Sequence, residues 1–108
     1  MNIFNVLYDW DYDDKTDIVT PTENVDLITV PDSIADPDRL DDLLQEFNNY
    51  VAANKQLYTR NIDDKEVIAV QTQDFLDFLN ERYLKDGEIA KILEEDVPYN
   101  PEFPMLLF

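Results

Sequence analysis

A fold built from this chain must keep 25 carboxylates in water with only 8 Lys and Arg to pair with them, a net charge of -17. Ionised side chains are costly to bury, so the chain can close only where apolar residues recur on one face of an element. Enough of them exist. Leu, Ile, Val and Phe supply 34 of the 108 residues, above the range of disordered chains, and the aromatic residues are spread along the sequence. That length supports one modest core and a single compact domain over residues 1–108. The charge is uneven: residues 1–50 hold 13 acidic and 2 basic side chains, residues 51–108 hold 12 and 6. The first half is therefore the stronger electrostatic face.

The sign of the charge excludes several partners. Direct binding of DNA or RNA needs clustered Lys and Arg to neutralise phosphates, and the basic residues here are isolated. Anionic membrane is disfavoured for the same reason, and no apolar run approaches the roughly 18 residues that span a bilayer. The chain has no Cys, which removes disulfides, thiolate nucleophiles and thiolate metal sites, and no His, which removes the commonest general base and transition-metal ligand. One glycine cannot build a phosphate-cradling loop. Paired-carboxylate hydrolysis needs only two acids at a set separation, but so acidic a chain meets any separation by chance, and neither a cleft signal nor a nucleophile motif accompanies them. A non-enzymatic protein without cofactor or metal is expected. "MNIFNVLYDW" lacks a basic n-region and a cleavage site, so the expected location is the cytoplasm.

Periodicity gives the elements. In "NIFNVLYDWDYDD", Phe4, Val6, Tyr8, Trp10 and Tyr12 alternate with Ile3, Asn5, Leu7, Asp9, Asp11 and Asp13, a strand pattern. "VDLITV", stopped by Pro31, reads as a second strand, which makes an N-terminal hairpin with a long acidic connection. In "DPDRLDDLLQEFNNYVAAN", Asp36 is a candidate N-cap, Pro37 takes the first helical position, and Leu40, Leu43, Leu44, Phe47, Tyr50 and Val51 form the packing stripe. "KQLYTRNIDDKEVIAVQT" reads as two strands turning at Asp63 and Asp64, with a helix starting at acid-rich "DDKEVIAV" as the alternative. A helix capped by Thr72 and closed by Gly87, a short helix over "EIAKILEEDV", and an extended tail "PYNPEFPMLLF" ending as a core strand complete the chain. The expectation is an α+β domain, a small antiparallel sheet with two to three helices packed on it.

The densest acid lies in "YDWDYDDKTD". Asp9, Asp11, Asp13 and Asp17 occupy positions 1, 3, 5 and 9 of a calcium-binding loop of the EF-hand type, but Asp14 stands where such a loop needs Gly and Thr20 where it needs Glu. A strand, not a helix, leads into it. A second reading fits the spacing better. Alternate residues on a strand lie about 6.6–6.8 Å apart on one face, comparable to the interval between phosphates along a nucleic acid strand. Asp38, Asp41, Asp42 and Glu46 would form a second row on the first helix. Rows on neighbouring elements would offer a duplex-like potential to a basic groove, with Tyr8, Trp10 and Tyr12 as apolar anchors. The plainer alternative makes the aromatics core and the aspartates a solvated strand face.

In charge, size and residue economy, and in "DWDYDD" and "DPDRLDDLLQE", the chain resembles the small acidic DNA-mimic inhibitors that phages and mobile elements direct against restriction enzymes, CRISPR nucleases or repair enzymes. The resemblance implies a stoichiometric inhibitor in the host cytoplasm whose partner is a basic nucleic-acid-binding protein. Asp9, Trp10, Asp11, Tyr12, Asp13, Asp14, Asp17, Asp38, Asp41, Asp42 and Glu46 are the candidate contact residues. An immunity-type protein against a basic nuclease is a close variant. An acidic scaffold that binds through its tail or an apolar helix face is the reading from a different class.

Overall fold

The computed structural model describes residues 2–108. Along the chain run β1 (Asn2–Leu7), β2 (Trp10–Asp13), β3 (Ile18–Pro21), β4 (Val25–Val30), α1 (Pro37–Ala53), β5 (Thr59–Ile62), β6 (Lys65–Ile68), α2 (Thr72–Arg82), β7 (Lys91–Val97) and β8 (Met105–Leu107). The central sheet has the order β7-β4-β1-β8, while β2–β3 and β5–β6 form separate two-stranded ribbons. The class is the expected α+β, two helices on a small sheet. The β1–β8 pair is parallel and the other pairs are antiparallel. The parallel pair arises because the chain crosses the sheet between Val97 and Met105 before running beside β1.

The two central strands are buried on both faces. Phe4, Val6, Ile28 and Val30 meet Leu40, Leu43 and Phe47 of α1 and Phe75, Leu76 and Leu79 of α2. Leu7, Val25 and Leu27 point the other way, under Tyr99, Phe103 and Met105 of the C-terminal segment and Trp10 and Val19 of the first ribbon. Alternation places Asn5 on this second face, fully buried. Its amide donates to the carbonyls of Asn100 at 2.9 Å and Phe103 at 3.0 Å, and its Oδ1 accepts from the Asn100 N–H at 3.1 Å. The backbone N–H of Asn5 bonds the Pro104 carbonyl at 2.8 Å. One polar side chain thus satisfies the irregular backbone of a segment that has no ladder of its own there.

The first helix forms as its sequence predicts. Asp36 accepts from the Arg39 N–H at 3.4 Å, Pro37 opens the helix, and Leu40, Leu43, Leu44, Phe47 and Val51 are buried. The β5–β6 turn also lies where expected, with Asp63 at φ 51 and Asp64 at φ 64, the consecutive left-handed pair of a tight hairpin turn. The tail ends in a strand with Leu106 buried in the core.

Three expectations are corrected. "EIAKILEEDV" is mostly strand β7, not helix. Its seven residues run beside only the five from Val25 to Thr29, with register shifts on both sides of Leu27, so extra residues erase the two-residue alternation and leave a spacing that imitates a helix. Gly87 does not cap α2, which ends at Arg82; at φ 86 it serves the turn closed by the Glu88 N–H on the Lys85 carbonyl at 3.0 Å. Gln71 rather than Thr72 is the N-cap of α2, and its N–H donates to Asp74 at 2.9 Å. Thr72 instead turns its hydroxyl inward, because the bend after β1 and the strand β4 present Tyr8 and Asp26 there.

The role of Asn5 generates a test. Asn5→Ala leaves buried carbonyls without their donor and should lower unfolding stability by about 3 kcal/mol. Urea unfolding would show an earlier midpoint; a loss below about 1 kcal/mol would contradict the role assigned to this side chain.

Candidate functional site: an acidic interaction surface

The acidic connection between β1 and β4 is an ordered ribbon. Between the pairs Val6↔Asp26 and Trp10↔Pro21 the register slips by one residue, and the chain bends at Tyr8 and Asp9. A slip of one residue exchanges the faces of a strand. Trp10 therefore joins Leu7 and Val25 on the second face of the sheet, half-buried, instead of following Phe4 and Val6. The strict alternation read through residues 4–12 fails at this bend. Asp11 and Asp13 share the opposite face of β2 from Trp10, pair with Thr20 and Ile18, and are exposed. Tyr12 is 58% exposed and donates its hydroxyl to Asp17 at 2.5 Å.

The aspartates of the ribbon do different things. Asp13 accepts the Lys15 N–H at 2.9 Å and so holds the tip turn, and Asp17 takes a left-handed φ of 57 there. Asp9, Asp11 and Asp14 are exposed, and no side-chain bond engages them among the described residues. The tip is a short reverse turn between two strands, not a loop joining helices. Among the described residues no group of three acids converges on a point that would hold a metal ion.

Asp38, Asp41, Asp42 and Glu46 are likewise exposed, on the outer face of α1, and among the described residues no hydrogen bond or ion pair joins them to the ribbon. α1 begins just beyond Val30, at the sheet end where the Asn2 amide reaches Asp32. The ribbon leaves from the other end, past Leu7. From its start α1 runs back along the sheet towards that end, and Asp41 and Gln45 share a recess with Met105 and Leu107, the register partners of Asn5 and Leu7. Within the helical row, burial and the neighbouring Asp38 and Asp42 charges raise the pKa of Asp41. Glu46 accepts the hydroxyl of Tyr83.

The row that does adjoin the ribbon comes from β7 and the start of β4. Asn24 donates to the Asp96 carbonyl at 3.3 Å, and the Asp96 N–H donates to Asp26 Oδ1 at 3.1 Å. The Thr22 N–H bonds the Asp9 carbonyl at 3.2 Å, which ties the base of the ribbon to the same corner. Glu23, Asp26, Glu94, Glu95 and Asp96 thereby gather beside Asp9 at one end of the sheet. Reading β7 as a helix hid this group. Its signal was the run "EED" before Val97, since carboxylates are disfavoured in the last turn of a helix but suit an exposed edge strand.

Little cationic charge offsets these groups. Among the described residues one ion pair forms, Arg60 with Asp74 at 3.4 Å. The guanidinium of Arg82 lies 4.4 Å from the ring centre of Tyr50, and that of Arg39 lies 5.7 Å from that of Tyr83. Two of the chain's arginines thus sit on aromatic rings, so the acidic surface is almost wholly unpaired. Compared with protein-family models, with curated proteins and with solved structures, the chain matches none.

The raised pKa of Asp41 has a definite sign. A carboxyl whose folded pKa exceeds its unfolded value makes the fold less stable once it ionises, so the penalty is present at neutral pH and disappears as pH falls below about 4. Asp41→Asn should raise the melting temperature by about 1–3 °C at pH 7 and leave it unchanged near pH 3. An equal gain at both values would contradict the electrostatic cause.

Proposed function

We propose that this chain is a non-enzymatic DNA-mimic inhibitor, whose ordered carboxylates occupy the basic nucleic-acid-binding site of a DNA-processing or defence protein. The observation that carries the reading is the unpaired charge: 25 acids, with one ion pair among the described residues. Self-repulsion of this size opposes folding, and a surface that meets a basic groove converts it into binding energy and fast association. The contact surface is centred on Asp9, Asp11 and Asp14 of the first ribbon together with Glu94, Glu95 and Asp96 of β7. Asp38, Asp41, Asp42 and Glu46 form a second patch on the outer face of α1. Tyr12 is the exposed aromatic anchor of the ribbon, while Trp10 supports it from below.

A second reading draws on the other ribbon. In β5–β6 and the turn before it, Leu57, Ile62, Val67 and Ile68 are exposed, the kind of apolar surface that an acidic scaffold domain would dock through. The two readings part on one experiment. The immobilised protein is loaded with lysate of the cells it comes from, then washed with duplex DNA at constant ionic strength. The mimic reading expects basic nucleic-acid-binding proteins to be retained, to be released by duplex DNA, and to be lost from the Asp9→Asn, Asp11→Asn, Asp14→Asn triple variant. Retention that ignores both the DNA and the triple substitution would favour the scaffold.

A further inference from the structure

Where β7 bulges away from β4, the sheet opens a pocket of about 430 Å³ against the start of α2. Tyr8, Val70 and Ile92 are its apolar walls, and Asp26, Glu95, Gln71, Thr72 and Gln73 bring oxygen atoms to it. The bulge is what places Glu95 here: Glu95 and Asp96 together stand opposite Asp26 alone, between the pairs Leu27↔Glu94 and Val25↔Val97.

The acceptors are held but not used up. Asp26 Oδ2 accepts the Thr72 hydroxyl at 2.6 Å and Oδ1 the Asp96 N–H at 3.1 Å, which leaves each oxygen a further lone pair. Glu95 is exposed, with no side-chain bond among the described residues. Tyr8, bonded to Thr72 and 39% exposed, has its pKa raised to about 12 by burial, so it stays a neutral phenol with a ring that can be stacked upon. No Lys or Arg lines the pocket. A helix start ordinarily favours anions, but the Asp74 carboxylate already accepts the Gln71 N–H at 2.9 Å and compensates that end of α2.

We infer that this pocket receives an arginine side chain of the protein partner, its guanidinium held between Asp26 and Glu95 and against the Tyr8 ring. A guanidinium matches the lining in three respects: planar donors for acceptors on two sides, a face for the aromatic ring, and weak hydration that suits a partly apolar site. An ammonium would satisfy the charge but not the geometry. The inference rests on the reading of the surface as one that meets a basic groove, and it adds the point that fixes register within such a groove. An arginine desolvated in a pocket is the kind of residue that dominates an interface.

The test uses the full chain, labelled with nitrogen-15 and titrated with N-acetyl-arginine methylamide, the lysine analogue and the uncharged norleucine analogue. Amide shifts should concentrate on Tyr8, Asp26, Gln71, Gln73 and Glu95 and saturate in the millimolar range with the arginine compound. Binding should weaken at least fivefold in Glu95→Gln, a substitution at an exposed side chain. Shifts spread evenly over the acidic ribbon, equal affinity for the lysine analogue, or an unaffected Glu95→Gln variant would each overturn the assignment. The two levels separate cleanly. If the arginine compound fails to bind here while duplex DNA still displaces the captured proteins, the pocket falls and the mimic stands; the converse leaves the pocket and removes the mimic.

Discussion

The buried Asn5 side chain is the contact on which the rest of the architecture depends. A sheet carrying two helices can cover one face with them, but this chain has apolar residues on both faces of its central strands. The second face is closed by a segment with three prolines in seven residues, which cannot form a regular ladder across it. Asn5 supplies the donors and the acceptor that this irregular backbone lacks, and Tyr99, Phe103 and Met105 then pack over Leu7, Val25 and Leu27. With both faces dry, the interior can consist almost entirely of apolar side chains.

The arrangement of charge follows from that closure. Because the core is complete without any carboxylate, most of the acids stand on ribbons, edges and outer helix faces, where water and counterions screen them, and Asp26 on the central strand β4 is only partly covered. The edge strand β7 carries Glu94, Glu95 and Asp96 and bulges, which discourages pairing with another strand. The same bulge opens the pocket beside Tyr8. One irregularity therefore protects an edge and shapes a recess, and the recess lies next to the densest acid. Rigid presentation matters for the proposed role, since an ordered carboxylate row avoids much of the entropy that a flexible acidic tail would lose on binding.

α1 was fully legible in the sequence because a cap, a proline and a heptad-like apolar stripe agree with one another from Asp36 to Val51. The Asp63–Asp64 turn was legible because few residues tolerate consecutive left-handed conformations. β7 was not, because period-based reading assumes one residue per step and a bulge adds residues without notice. Nor was the exchange of faces at Tyr8 and Asp9, which moved Trp10 from anchor to support. For the site, the acidic ribbon was visible as a string of aspartates, but its neighbour was not. Strand order is a property of the whole fold, and it set Glu94, Glu95 and Asp96 on the edge strand beside β4, at the base of the ribbon.

The proposed role is that unpaired, ordered carboxylates on this domain bind a basic nucleic-acid site. Its most direct measurement is the affinity for the isolated captured partner across a salt series. Between about 50 and 500 mM monovalent salt, the account predicts at least a hundredfold weakening, with log Kd linear in log salt and a shallower slope for the Asp9→Asn, Asp11→Asn, Asp14→Asn variant. An affinity that changes less than about twofold over that range, with the same value for the variant, would contradict it.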